Sequence, residues 1–96
     1  MHIKKMGERI TEIAILWNDL YDTLTIKAAS KEEQEEMRKR ILAVMKIYEK
    51  ALSDKVEYIP NIRKELNSIF YTLKRWQEKN TMILIEYLPR LKIGKK

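Results

Sequence analysis

The side chains that could carry out chemistry are few in this chain. It contains no cysteine, which excludes disulfides, thiolate zinc sites and cysteine nucleophiles. Its single histidine is His2. Metal sites inside helical bundles use glutamate–histidine pairs from two helices, and one histidine near the N-terminus cannot supply two such pairs. We therefore expect no metal site and no cofactor.

The serines and glutamates do not form a recognisable catalytic group. Only His2 could activate a serine nucleophile, and the serines are spread along the chain at positions 30, 53 and 68. The four glutamates between positions 32 and 36 stand where we predict the start of a helix. Acidic side chains are favourable there because they interact with the helix dipole, so solvated glutamates are the simpler interpretation.

One type of enzyme stays open, in which basic side chains clamp an anion between helices. Arg9, Arg38 and Arg63 flank the predicted core and have suitable chemistry. Basic residues at such positions more commonly extend their aliphatic stems over the edge of the core. We therefore predict that the protein is not an enzyme and has no small-molecule substrate.

Composition and periodicity predict an all-α protein, an antiparallel three-helix bundle of long helices in a single domain over residues 1–96. The chain is 45% hydrophobic and 35% charged, with only two glycines and two prolines for tight turns. Apolar residues recur at steps of three and four, which is the spacing of an apolar stripe on one side of a helix. We predict helices over about residues 3–28, 31–52 and 60–88, followed by a basic tail over 89–96.

Each helix has its own stripe and its own boundary signals. The stripe of the third helix is the longest, and its members are Ile59, Ile62, Leu66, Ile69, Leu73, Trp76, Asn80, Ile83 and Tyr87. Ser30 and Glu33 have the spacing of a capping box at the start of the second helix, although one helix continuous through Ala28 and Ala29 stays open. We expect Pro60 to lie in the first turn of the third helix and Pro89 to end it.

Three further residues on the stripes have two interpretations each. Trp17 and Trp76 are expected to be mostly buried, whereas aromatic residues between basic ones could instead stack on nucleotides. Asn80 either fixes the register of a helical assembly from a buried position or lies partly exposed at a helix junction. In the second helix, Glu35–Lys39 and Glu36–Arg40 are spaced to form ion pairs.

The segment 82–88 is apolar all round, and only Glu86 in it is charged. In a helix, Ile85 lies opposite the stripe, and Met82 and Leu88 lie about 120° from it on either side. We therefore expect Met82, Ile85 and Leu88 to form a self-association surface in a homo-oligomer, most simply a two-fold dimer. Two alternatives stay open: the N-terminus and the tail could cover the segment, or Asn80 and Thr81 could cap a separate short C-terminal helix.

The net charge of +6 suggests a second function. Most basic residues of the helices have an acidic residue one turn away, but the tail does not, so Arg90, Lys92, Lys95 and Lys96 are the candidate contacts to nucleic acid. The sequence thus predicts a self-associating or partner-binding module, with a nucleic-acid-binding or packaging protein as the alternative. Without a secretory signal or a long apolar run, we expect an intracellular protein that does not enter the membrane. Abundant Lys, Glu and Ile agree with a hot environment, or with an AT-rich genome.

Overall fold

The structure is a computed structural model that describes the backbone of residues 1–22 and 28–93 and the side chains of residues 1–21 and 28–83. It contains three helices: α1 (Ile3–Asp22), α2 (Lys31–Ser53) and α3 (Arg63–Ile93). Each helix packs against the other two, which confirms the predicted all-α three-helix bundle. α1 and α3 run parallel to each other, because the residues before α1 pair with those before α3. α2 runs antiparallel to both, since Tyr48 near its end packs against Gly7 near the start of α1.

The predicted stripes form the core. Along α3 the exposure of Leu66, Ile69 and Leu73 is 0%, and Trp76 is 7% exposed. The stripes of α1 and α2 supply the other fully buried side chains, which are Met6, Ile13, Leu20 and Val44. Residues at steps of three and four therefore meet at the bundle axis, as the period of the α-helix requires.

The buried side of α1 turns slightly along the helix. Leu16 is buried, whereas Trp17 is only partly buried and packs at the edge of the core. Tyr21 lies one turn after Trp17 on the same side of the helix and is 71% exposed. The last turns of α1 thus direct Leu16 and Leu20 inward, which places Trp17 at the edge of the core and Tyr21 on the surface.

The connection between α1 and α2 ends in the predicted capping box. The Glu33 backbone N–H donates to Ser30 Oγ at 3.1 Å, and the Ser30 N–H donates to Glu33 Oε1 at 3.0 Å. Ser30 has an extended backbone, with φ −69° and ψ 164°, so a helix cannot pass through it. The prediction that the first helix reaches Ala28 is wrong, as is the alternative of one continuous helix, because Ala28 lies in a turn.

The third helix starts later and ends later than predicted. Asn61 has φ 59°, a left-handed conformation that excludes a helix running directly on from Pro60, so α3 begins at Arg63. At the other end, Pro89 does not stop the helix, which continues to Ile93. A proline inside a helix removes one backbone hydrogen bond, and here the helix continues on both sides of it. The alternative of a separate C-terminal helix is therefore wrong, and so is the prediction of a tail outside the helix, as far as Ile93.

The chain before α1 is fixed to the segment before α3. The Ile3 N–H donates to the Glu57 carbonyl, and the Ile59 N–H donates to the Met1 carbonyl, each at 2.9 Å. His2 and Tyr58 face each other in this short antiparallel bridge. These bonds place the first residues of the chain at the end of the bundle where α3 begins.

Two close contacts involve α2. Arg40 donates to both carboxylate oxygens of Glu65 on α3, and its Nη2 also donates to Ser68 Oγ at 2.9 Å. The predicted pair within α2 between Glu36 and Arg40 is therefore replaced by a pair between helices. Toward α1, a Cβ at Gly7 would lie 2.9 Å from Tyr48 Cζ, so the absence of a side chain at Gly7 allows the tyrosine ring to pack there.

The capping box predicts a dependence of stability on pH. The Ser30 backbone N–H, then the Ser30 side chain and the charge of Lys79, hold the pKa of Glu33 below its ordinary value of 4.5, although burial opposes them. A carboxyl with a lowered pKa in the folded state stabilises the fold above its unfolded pKa and loses this contribution as the pH falls through the folded pKa.

We expect the replacement Glu33→Gln to lower the free energy of unfolding at neutral pH, and this difference from the wild type to shrink below pH 4.5. Urea denaturation at a series of pH values measures it. Glutamine keeps the capping geometry, so the variant isolates the charge. A difference that is constant across the acidic range would contradict the role of the Glu33 carboxylate.

Candidate self-association surface

The C-terminal part of α3 extends past the start of α2. The first turns of α2 lie beside Trp76, with which Glu32, Glu33 and Glu36 line one groove. Glu33 also interacts with the charge of Lys79. From Lys79, α3 continues for 14 residues to Ile93, or about 21 Å along its axis. The predicted self-association segment 82–88 lies entirely in this extension.

Met82 is the predicted self-association residue whose side chain the structure describes. It is 65% exposed and borders a shallow depression that it forms with Gln77, Glu78 and Thr81. Ile83, which belongs to the core stripe, is half-buried. The stripe and the outer face of α3 thus remain distinguishable as far as position 83.

The other predicted contact residues lie further along the same helix. Ile85 and Leu88 are in the helical part of α3, but their side chains lie outside the described ones. Of the candidate nucleic-acid contacts, Arg90 and Lys92 are also on α3, while Lys95 and Lys96 lie outside the described residues. The continuous backbone brings positions 82, 85 and 88 onto successive turns of one helix.

Asn80 is buried one residue after Lys79, at the start of the extension. It is 6% exposed, the one polar side chain among the buried residues that the structure describes, and it lies within α3 rather than at a helix junction. The prediction of a partly exposed residue is therefore wrong. Asn80 has an interaction partner. A buried and satisfied amide at this point ends the purely apolar part of the core.

Basic residues proposed for anion clamping are largely engaged in other contacts. The Arg9 guanidinium lies 4.2 Å from the centre of the Phe70 ring and pairs with Glu12 at 3.5 Å. Arg38 pairs with Glu35 at 3.2 Å, in place of the predicted pair between Glu35 and Lys39. These contacts are local and lie on the surface, so they do not converge on one cavity.

The sequence analysis did not identify Tyr71 as an exposed aromatic residue of α3. Tyr71 falls off the core stripe and is 57% exposed, with Lys64, Lys74 and Arg75 lining the same shallow depression. The signal was present, since Tyr71 lies between two stripe residues and is followed by a basic pair. It was hidden because aromatic residues in amphipathic helices usually face the core.

Comparisons of the chain with protein-family models, curated proteins and solved structures gave no match. Within the part of the chain that the structure describes, no group of histidine, aspartate and glutamate side chains is arranged to hold a metal ion. The helices, so far as their residues are described, also lack a stretch that is long and apolar enough to span a bilayer.

The burial of Asn80 predicts the effect of placing a charge there. The replacement Asn80→Asp keeps the shape of the side chain but buries a carboxyl group, whose ionised form is unfavourable away from water. If burial raises the aspartate pKa by about two units, the variant loses about 3 kcal/mol of stability at neutral pH. Denaturation at pH 7 and pH 4 should show a large loss at pH 7 and partial recovery in acid. Equal losses at both values would contradict the burial of this side chain.

Proposed function

We propose that the protein is a non-enzymatic helical module that forms a two-fold dimer through the C-terminal part of α3. The observation that supports this most directly is the 65% exposure of Met82 at the start of an apolar segment on an uninterrupted helix. An apolar segment that extends beyond its neighbours in the bundle is a common contact surface. In a dimer, the apolar segment of one copy is covered by the apolar segment of the other.

Among the described residues, the fold disfavours the alternative in which the N-terminus and the tail cover this segment. The first residues pair with residues 57–59 before α3, and Met82 lies 19 residues after the start of α3 at Arg63, or about 28 Å along the axis. The N-terminus is therefore too far away. The residues after the segment continue the same helix to Ile93, so they cannot fold back over it.

In one antiparallel register of two α3 helices, apolar positions lie opposite apolar positions and a negative residue lies opposite a positive one. If the two-fold axis passes at position 85, position 82 of one copy lies opposite position 88 of the other. The same register brings Glu78, which is exposed, opposite Lys92 of the second copy. Opposite charges would thus flank an apolar centre on both sides, which is the arrangement of many dimer interfaces.

We expect the double replacement Ile85→Lys and Leu88→Lys to produce a folded monomer, because it places charges at the apolar centre of the interface. The matched control is the double replacement Ile15→Lys and Ile47→Lys, at isoleucines that are 57% and 43% exposed elsewhere on the bundle. The control should remain dimeric. Light scattering with circular dichroism reports mass and folding together. A wild-type protein that is monomeric at high micromolar concentration would refute the proposal.

The register is tested separately by reversing charges. Glu78→Lys alone and Lys92→Glu alone should each weaken the dimer about five-fold or more, because a favourable pair worth about 1 kcal/mol becomes a repulsive one. The double reversal should restore most of the wild-type affinity, as measured by analytical ultracentrifugation at low salt. If the loss of dimer affinity in the double variant equals the sum of the losses in the two single variants, this register is excluded, whereas self-association itself is not.

A further inference from the structure

The outer face of α3 carries a basic surface around Tyr71, several turns before the proposed dimer contact. Tyr71 is 57% exposed, and the depression beside it is lined by Lys64, Lys74 and Arg75. Glu78 is the one carboxylate among the residues that line it, so three cations face a single negative charge. The cations extend from position 64 to position 75, over about 16 Å of the helix.

These three cations do not take part in the ion pairs formed among the described residues. Arg75 donates to Thr72 Oγ1 at 3.4 Å, and the Lys74 ammonium lies 5.7 Å from the centre of the Phe70 ring. Elsewhere on the bundle, Arg9, Arg38 and Arg40 are each paired with a carboxylate. The region around Tyr71 is thus one in which positive charge is not neutralised by ion pairs.

The Tyr71 ring packs against a neighbouring aromatic ring on one side. It meets the Phe70 ring edge to face, with centroids 5.4 Å apart and planes at 77°. Phe70 in turn is half-buried and contacts the Arg9 guanidinium at 4.2 Å. Contacts of this kind restrict the orientation of an aromatic ring, which lowers the entropy cost when another flat group stacks on it.

We propose that this surface binds single-stranded nucleic acid, with a base stacked on Tyr71 and backbone phosphates at Lys64, Lys74 and Arg75. An exposed aromatic ring beside a row of cations is the combination that single strands require, since unpaired bases offer their faces and phosphates follow the basic row. A duplex keeps its bases stacked internally, so Tyr71 could not reach their faces. The proposal does not rest on dimer formation and differs from binding by the C-terminal tail.

A second exposed tyrosine provides an internal comparison. Tyr21 on α1 is 71% exposed, but its neighbours in sequence include Asp19 and Asp22. Phosphates would be repelled there by negative charge. Exposure of a tyrosine alone therefore does not define the site, and the cations around Tyr71 distinguish the two surfaces.

Fluorescence anisotropy with a labelled single-stranded DNA of mixed sequence, about 20 nucleotides long, tests the proposal, since single strands occupy sites of several to about 16 nucleotides. Tyr71→Ala should lower the affinity at least five-fold, which corresponds to the loss of about 1 kcal/mol of stacking. Tyr21→Ala is the matched control and should leave the affinity unchanged. Circular dichroism verifies that both variants remain folded, which their exposed positions favour.

A salt series tests the phosphate contacts. Replacing Lys74 and Arg75 by alanine should reduce the slope of log affinity against log salt by about 1.4, or about 0.7 for each contact to a single strand. Lys46→Ala with Lys50→Ala removes the same charge from α2, where both lysines are exposed, and should change the slope much less. The same affinity for duplex as for single strands would overturn the proposal, and so would equal effects of the Lys74–Arg75 and Lys46–Lys50 replacements on the salt slope. So would loss of binding on replacing Lys95 and Lys96 but not Tyr71, because it would assign the site to the tail.

Discussion

The burial of the α3 stripe between α1 and α2 is the constraint on which the rest of the structure depends. Leu66, Ile69 and Leu73 are fully enclosed, so they fix both the position of α3 and its rotation about its own axis. This rotation decides which residues of α3 face outward, including Tyr71 and Met82. Both proposed surfaces are thus consequences of core packing, because a helix with one side fully buried has no freedom in what it presents on the other.

The sequence was sufficient to predict the helices, their core residues and the start of α2, because these follow from local spacing. Ser30 and Glu33 are three residues apart, and their reciprocal hydrogen bonds need no knowledge of the remaining chain. The ends of α3 were not predictable in this way. A left-handed residue at Asn61 and a helix that passes through Pro89 depend on how the surrounding backbone is held. General preferences of proline gave the wrong boundary at both positions.

Contacts between helices were equally beyond the sequence. Arg40 has a suitably spaced glutamate within α2 but pairs with Glu65 on α3, which is 25 positions away. A side chain at the edge of the core reaches a neighbouring helix as readily as its own next turn, and spacing along the chain does not show which one is closer. The same limit applies to Trp17. Its place on the stripe is correct by period, but the packing of Leu16 leaves it at the edge.

The charge on the outer face of α3 changes along the helix, and this change bears on the proposed dimer. Where α2 lies beside α3, the outer positions carry charge, at Lys74, Arg75, Glu78 and Lys79. Between positions 81 and 89 only Glu86 is charged, and this part of α3 lies past the start of α2. Among the described helices, α3 has one neighbour fewer past the start of α2, so we would expect more charge there rather than less. An apolar outer face at that point is favourable only if something other than water contacts it, and a second copy of α3 meets this condition.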